Sequence, residues 1–154
     1  MVGINEQFER LEETQKRGQA TEAIVKAEFV LRDFPVLIPE YDNEPYDFVV
    51  EVAGDFLKIQ AKTAYEHGSG KVRFETVSTR VRSDGYDRDG YDGEIDFFAV
   101  FNPVLEETYL IHIDDAATGK MEIRYEPAKN NQRKGVNWHE DYLIKKVLKE
   151  VGPS

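Results

Sequence analysis

The stretch from Asp47 to Thr63 limits the possible folds more than any other part of the chain. Asp47-Phe48-Val49-Val50-Glu51-Val52 is rich in β-branched residues, and Phe56-Leu57-Lys58-Ile59-Gln60-Ala61-Lys62-Thr63 alternates apolar and polar side chains. Both patterns predict strands. Between them, Gly54-Asp55 fits a two-residue type II′ turn, with glycine taking the positive φ of the first central position. That turn places Ala53 opposite Phe56, Val49 opposite Gln60 and Asp47 opposite Lys62. Successive side chains point to opposite faces, so Asp47, Gln60 and Lys62 share one face, and Phe48, Val50, Leu57 and Ile59 share the other. Directly opposed Cβ atoms lie about 5 Å apart, which brings an acid, an amide and a lysine within reach of one another.

With 154 residues the chain predicts one domain with a sizeable core. Ile4, Phe8 and Leu11 form a narrow apolar stripe in an N-terminal helix or extension, residues 1–17, which Gly18-Gln19 closes. A second helix is expected over Ala20 to Arg32, with Ala23, Ile24, Ala27, Val30 and Leu31 facing the core and Glu22 in its first turn, on the side of Val25 and Phe29. After the hairpin, Val72 to Ser78 predicts a strand and the Asp-, Gly- and Tyr-rich Ser83 to Gly93 a mobile loop. The runs Ile95 to Phe101 and Tyr109 to Ile113 predict the most central strands, Met121 to Tyr125 an edge strand, and Trp138 or His139 to Lys149 a last helix stopped by Gly152-Pro153. The order predicts an α/β domain over residues 18–150 with a central mixed β-sheet flanked by helices.

Thirty acidic and 20 basic side chains give a net charge of −10. Such a balance argues against general attraction to nucleic acid or anionic membrane, so contact with a polyanion must come from local patches. It also suits work at high salt, where the Debye length falls to about 3 Å at 1 M and overall repulsion is screened. Cysteine is absent, which excludes disulfides, thiolate metal sites and a cysteine nucleophile. No apolar run approaches the roughly 20 residues of a membrane span, and residues 1–10 lack a signal-peptide core, so a cytoplasmic protein is expected.

A glutamate-bearing helix, then Pro45-Tyr46-Asp47, then Gln60-Ala61-Lys62 on a strand resembles the PD-(D/E)XK nuclease superfamily. With the later Asp96-Phe97-Phe98 and Asn131-Gln132, the chain looks most like the group I intron-associated, homing-type endonucleases. The resemblance implies a restriction-endonuclease-like fold and hydrolysis of DNA phosphodiesters by activated water. It makes Asp47 the principal metal ligand, Glu22 a second acid acting directly or through water, Gln60 the counterpart of the usual Asp or Glu, and Lys62 the group that orients or activates the water. Mg²⁺ or Mn²⁺ is the implied cofactor, and such oxygen donors suit Mg²⁺, which is commonly held by one or two carboxylates plus a substrate phosphate. A homo-oligomer, dimer or tetramer, would bring two sites to two strands.

Gln60 departs from the commonest pattern because an amide adds no negative charge, although the intron-associated group accepts glutamine there. That departure keeps open a non-catalytic nucleic-acid or protein binding module on the same fold, and a resolvase or repair-type nuclease is a further reading. Simpler readings also stand. Asp47 and Lys62 could form an exposed cross-strand salt bridge worth about 0.2–1 kcal/mol, and Glu22 could pair with Lys26 at i,i+4. Asp96, in an apolar strand, must be paired or line a cavity. For DNA contact, two basic patches stand against the acidic average: Lys71, Arg73, Arg80 and Arg82, with Glu75 among them, and Arg124, Lys129, Asn131, Gln132, Arg133 and Lys134. The cations would position phosphates and the amides could read base edges. His67, His112 and His139 are scattered and read as packing or surface residues.

Overall fold

A computed structural model describes residues 3–82, 85–91, 93–128, 130 and 134–151, with the backbone alone described through 78–82 and 85–90. Helices α1 (Ile4–Glu9) and α2 (Thr14–Leu31) lead into strands β1 (Val36–Leu37), β2 (Phe48–Val52) and β3 (Asp55–Thr63). Strands β4 (Tyr65–Glu66), β5 (Lys71–Glu75), β6 (Val77–Arg82) and β7 (Gly85–Gly90) follow, and β8 (Phe97–Asn102) and β9 (Glu107–His112) return to the first sheet. The chain closes with β10 (Lys120–Arg124), a 3-10 turn (His139–Tyr142) and α3 (Ile144–Val151).

Five strands form the central sheet in the order β1-β2-β3-β8-β9. The β3–β8 pair is parallel and its neighbours are antiparallel, so the sheet is mixed as expected. All six residues of β8 are buried, because both faces of the sheet are covered. One face carries the helices: Phe48, Val50, Ile59, Phe97, Ala99 and Phe101 pack with Phe8, Val25, Phe29, Ile144 and Leu148. Edge-to-face pairs reinforce that layer, Phe29 with Phe48 at 5.9 Å and Phe8 with Phe101 at 5.6 Å. The other face is covered not by a helix but by a three-stranded sheet, β10-β5-β4, through Val72, Phe74, Phe98, Val100, Tyr109, Met121 and Ile123.

Several local expectations are corrected. Gly18 does not interrupt a helix: α2 runs through it, and the break lies between Glu9 and Thr14. The buried face of α2 is Thr21, Val25 and Phe29, whereas Ala23, Ala27, Val30 and Leu31 are exposed. The stripe of medium-sized residues was misleading because the aromatic Phe29, packed on Phe48, sets the helix rotation. Where a mobile loop was expected, residues Gly85–Gly90 pair with Val77–Arg82 in a separate two-stranded ribbon. The last helix begins at Ile144, after a 3-10 turn from His139, and Gly152 and Pro153 lie outside the described residues. Met121 does lie in an edge strand, but of the small sheet, where β10 pairs with β5, whereas β9, expected to be central, is the edge of the five-stranded sheet.

Candidate nuclease site

The hairpin forms with a different turn from the expected one. The pairs Val52↔Asp55, Val50↔Leu57 and Phe48↔Ile59 put Ala53-Gly54, not Gly54-Asp55, at the turn. Both turn residues have positive φ, 54° and 86°, as a type I′ turn requires. The type I′ twist matches the flanking strands well enough to hold even an alanine in the left-handed region. The register therefore shifts by two, an even number, and the face assignments of the strands survive. Phe48, Val50, Leu57 and Ile59 lie toward the helices as expected. Gln60 and Lys62 pair with Phe98 and Val100 of β8 and look toward the small sheet.

Asp47 sits just beyond the ladder. Its amide donates to the Ile59 carbonyl and its Oδ2 accepts the Ala61 amide, both at 2.8 Å, so Gln60 lies between its two points of contact. A carboxylate that takes a strand amide stays near the hydrogen-bonding plane of the sheet. The expected placement of Asp47 directly across from Lys62 is thus corrected: the acid occupies the strand edge, within electrostatic reach of groups from both layers. Glu22 acts on it from the helix layer and Lys62 from the other side. Burial raises the Asp47 pKa above the usual aspartate value, the Ala61 amide works against that rise, Glu22 adds to it, and Lys62 and Lys26 oppose it. The Glu22 carboxylate also pairs with Lys26 at 3.5 Å, the i,i+4 contact that the sequence allowed.

Lys62 is half-buried, and its pKa is lowered by that burial while Glu75 and Asp47 support its charge. Its ammonium donates to the Tyr91 hydroxyl at 3.3 Å and approaches the Val77 carbonyl at 3.5 Å. Sequence reading missed Tyr91 and Glu75. Glu75 entered only as an acid interrupting a basic patch, yet it ends β5 within electrostatic reach of the lysine. A partly buried tie holds the two sides of the site together: Thr21 Oγ1 on α2 lies 2.7 Å from Thr63 Oγ1 on β3. Each threonine is the immediate neighbour of a site residue, Glu22 or Lys62.

The other singled-out residues take varied places. Asp96 Oδ2 accepts the Lys58 amide at 2.8 Å, so it is paired and fastens β3 to the start of β8. His139 Nδ1 lies 2.7 Å from Glu107, and His112 Nδ1 accepts the Asp114 amide. Pairing of β5 with β10 puts Lys71 opposite Arg124 and Arg73 opposite Glu122, which merges two basic patches that are far apart in sequence. Glu122 binds both Lys71 and Arg73 and lies 3.7 Å from His67 Nε2. Arg124 donates from Nε to the Glu126 carbonyl, and Lys134 is exposed. Asn131, Gln132 and Arg133, with Lys129, lie outside the described residues, as do the side chains of Arg80 and Arg82.

Among the described residues, no three of His, Cys, Asp and Glu come together as a metal-holding group. Two carboxylates, Asp47 and Glu22, are within electrostatic reach of each other, and Gln60 is the strand residue between the two backbone contacts of Asp47. A buried acid raised further by a like charge is a place where a cation would relieve the repulsion, and an all-oxygen donor set fits Mg²⁺.

The five-stranded mixed sheet with helices on one face is the α/β architecture of the restriction-endonuclease-like fold. The profile of the PD-(D/E)XK endonucleases matches residues 12–145, and the chain belongs to that family. A bacterial homing endonuclease, I-Ssp6803I, shares the fold with a TM-score of 0.72 over 90% of this chain and 95% of its own, at 22% sequence identity. No curated protein matches the chain significantly. Among the described residues no helix is long and apolar enough to cross a membrane.

Proposed function

We propose that this nuclease is a metal-dependent DNA endonuclease in which Asp47, Glu22 and Gln60 hold Mg²⁺, or Mn²⁺, and Lys62 serves the attacking water. The observation that carries the reading is the placement of Asp47: a half-buried carboxylate, fixed by the Ala61 amide and within electrostatic reach of both Glu22 and Lys62. When bound, the metal would polarise the scissile phosphate and make a nucleophile available at neutral pH. Asp47 holds one oxygen on the backbone and leaves the other for a ligand. Glu22 supplies the second negative charge that the neutral Gln60 does not. Lys62 orients the water and, as an ammonium, balances the negative charge that grows on the phosphate oxygens. One P–O bond forms to the water oxygen as the bond to the leaving sugar oxygen breaks, the water giving up a proton to solvent and the leaving oxygen taking one from solvent.

DNA contact is assigned to Lys71, Arg73 and Arg124 of the small sheet and Arg80 and Arg82 of the ribbon, together with Asn131, Gln132, Arg133 and Lys134. Lys71 and Arg124 line a cavity of about 630 Å³ with Ser69 and Asn130, which supports this assignment. A homo-oligomer, dimer or tetramer, working in the cytoplasm completes the reading. Phe8 is packed against its own domain, so the N-terminal stripe is partly used, whereas Val30, Leu31, Ile38 and Tyr41 remain more than half exposed.

The test is cleavage of plasmid, linear and branched DNA with Mg²⁺ or Mn²⁺, alongside light scattering for the oligomer. Cutting of plasmid that disappears in Asp47→Ala and Lys62→Ala is the expected result. Binding without cutting would point to the non-catalytic module, and cutting confined to junctions to a resolvase. Activity that survives both substitutions would refute the site.

A further inference from the structure

Lys62 carries a charge on a flexible stem, yet its ammonium is held from two directions. It lies 4.9 Å from the centre of the Tyr91 ring, with the Tyr91 hydroxyl at 3.3 Å and the Val77 carbonyl at 3.5 Å. Tyr91 is itself immobilised: it is 6% exposed, and its ring stands edge-to-face on the fully buried Phe98 at 5.4 Å and 90°. Val77 opens β6 and Tyr91 directly follows β7, so the two ends of the ribbon are what hold the lysine. A hydroxyl and a carbonyl neither neutralise the ammonium nor compete for Asp47, and they remove the freedom that a lysine stem ordinarily keeps.

We propose that Tyr91 is a positioning residue, whose hydroxyl fixes the Lys62 ammonium at the place from which it serves the reaction. The inference rests on the catalytic reading of Lys62 given above. It assigns Tyr91 no contact with substrate or metal.

The test places Tyr91→Phe and Tyr91→Leu in wild-type and Lys62→Ala backgrounds. Single-turnover plasmid cleavage is measured at saturating Mg²⁺, and DNA affinity is measured separately with Ca²⁺ in place of Mg²⁺. Tyr91→Leu and Tyr91→Phe, which both remove the hydroxyl that lies 3.3 Å from the ammonium, should each slow cleavage about tenfold with unchanged DNA affinity. Neither should slow the Lys62→Ala protein further. In NMR spectra the Lys62 ε-methylene should show a ring-current shift in wild type that is lost in Tyr91→Leu. That shift decides the matter where the Lys62→Ala rate is too low to read. If Tyr91→Leu does not fold, the loss in Tyr91→Phe that vanishes without Lys62 carries the same meaning. Equal losses in both backgrounds, or no ring-current shift, would overturn the positioning role alone. Failure of the wild type to cut any DNA would overturn the catalytic reading and this role with it.

Discussion

The hydroxyl pair Thr21–Thr63 offers a quantitative handle on how the helix and the sheet share the site. Thr21 is buried at 1% exposure in the middle of α2, and its Oγ1 lies 2.7 Å from that of the half-buried Thr63. Thr21→Val keeps the shape, removes one hydrogen bond worth about 0.5–1.5 kcal/mol net, and leaves Thr63 to find water at its partly exposed side. The expected cost is about 1 kcal/mol, or about 2–4 °C in Tm for a chain of this size. Thr63→Val should cost about as much, because it strands the deeper hydroxyl of Thr21. The double variant loses both polar groups together and should be no worse than either single, a coupling of about 1 kcal/mol in a double-mutant cycle. Urea denaturation at constant m value measures the three differences. Because Glu22 and Lys62 are the chain neighbours of these threonines, the single variants should also need more Mg²⁺ for half-maximal cleavage. Additive losses, or a Mg²⁺ requirement unchanged in every variant, would refute the view that this tie sets helix against strand.

Three further outcomes follow from the charges and the turn. The Asp47 pKa is raised in the folded state, so its stabilising contribution is complete below the unfolded value of 3.8 and is lost as pH rises through the folded pKa. Asp47→Asn should therefore raise the urea midpoint at pH 7, with the gain fading in acid, and should abolish Mg²⁺-induced stabilisation; a variant less stable than wild type at pH 7 would contradict this. Glu122 holds Lys71 and Arg73, and Arg73 leads the groups that keep its carboxyl below the usual glutamate range. Glu122→Gln should release those cations, tighten DNA binding and steepen its salt dependence by about 0.9 for each further phosphate neutralised, as read by fluorescence anisotropy across a salt series. Ala53 has φ of 54°, and Ala53→Asn, suited to a type I′ turn before Gly54, should add up to about 1 kcal/mol in urea denaturation.

Much of this was legible in the sequence because period-two alternation survives an even register error. The turn was misplaced by one residue at each end, since Gly54 can serve at either central position, yet the apolar face of the hairpin was read correctly. The orientation of α2 was not legible. Ala23, Ala27, Val30 and Leu31 form a plausible stripe, and only the partner Phe48 across the layer shows that Val25 and Phe29 face inward. The ribbon was hidden by its composition, because Asp and Gly signal a loop even where backbone pairing makes strands. Glu75 and Tyr91 could not be assigned beside Lys62 from spacing, since the strands that bring them there belong to a different sheet.

Plasmid cleavage by wild type and Asp47→Asn, with Mg²⁺ and with EDTA, tests the central claim most directly. The substitution keeps an acceptor for the Ala61 amide and preserves shape while removing the charge on which the metal depends. Wild-type cutting with Mg²⁺ alone, falling by about 10²-fold or more in Asp47→Asn, is the predicted result. Equal cutting by both proteins, or cutting that persists in EDTA, would contradict it.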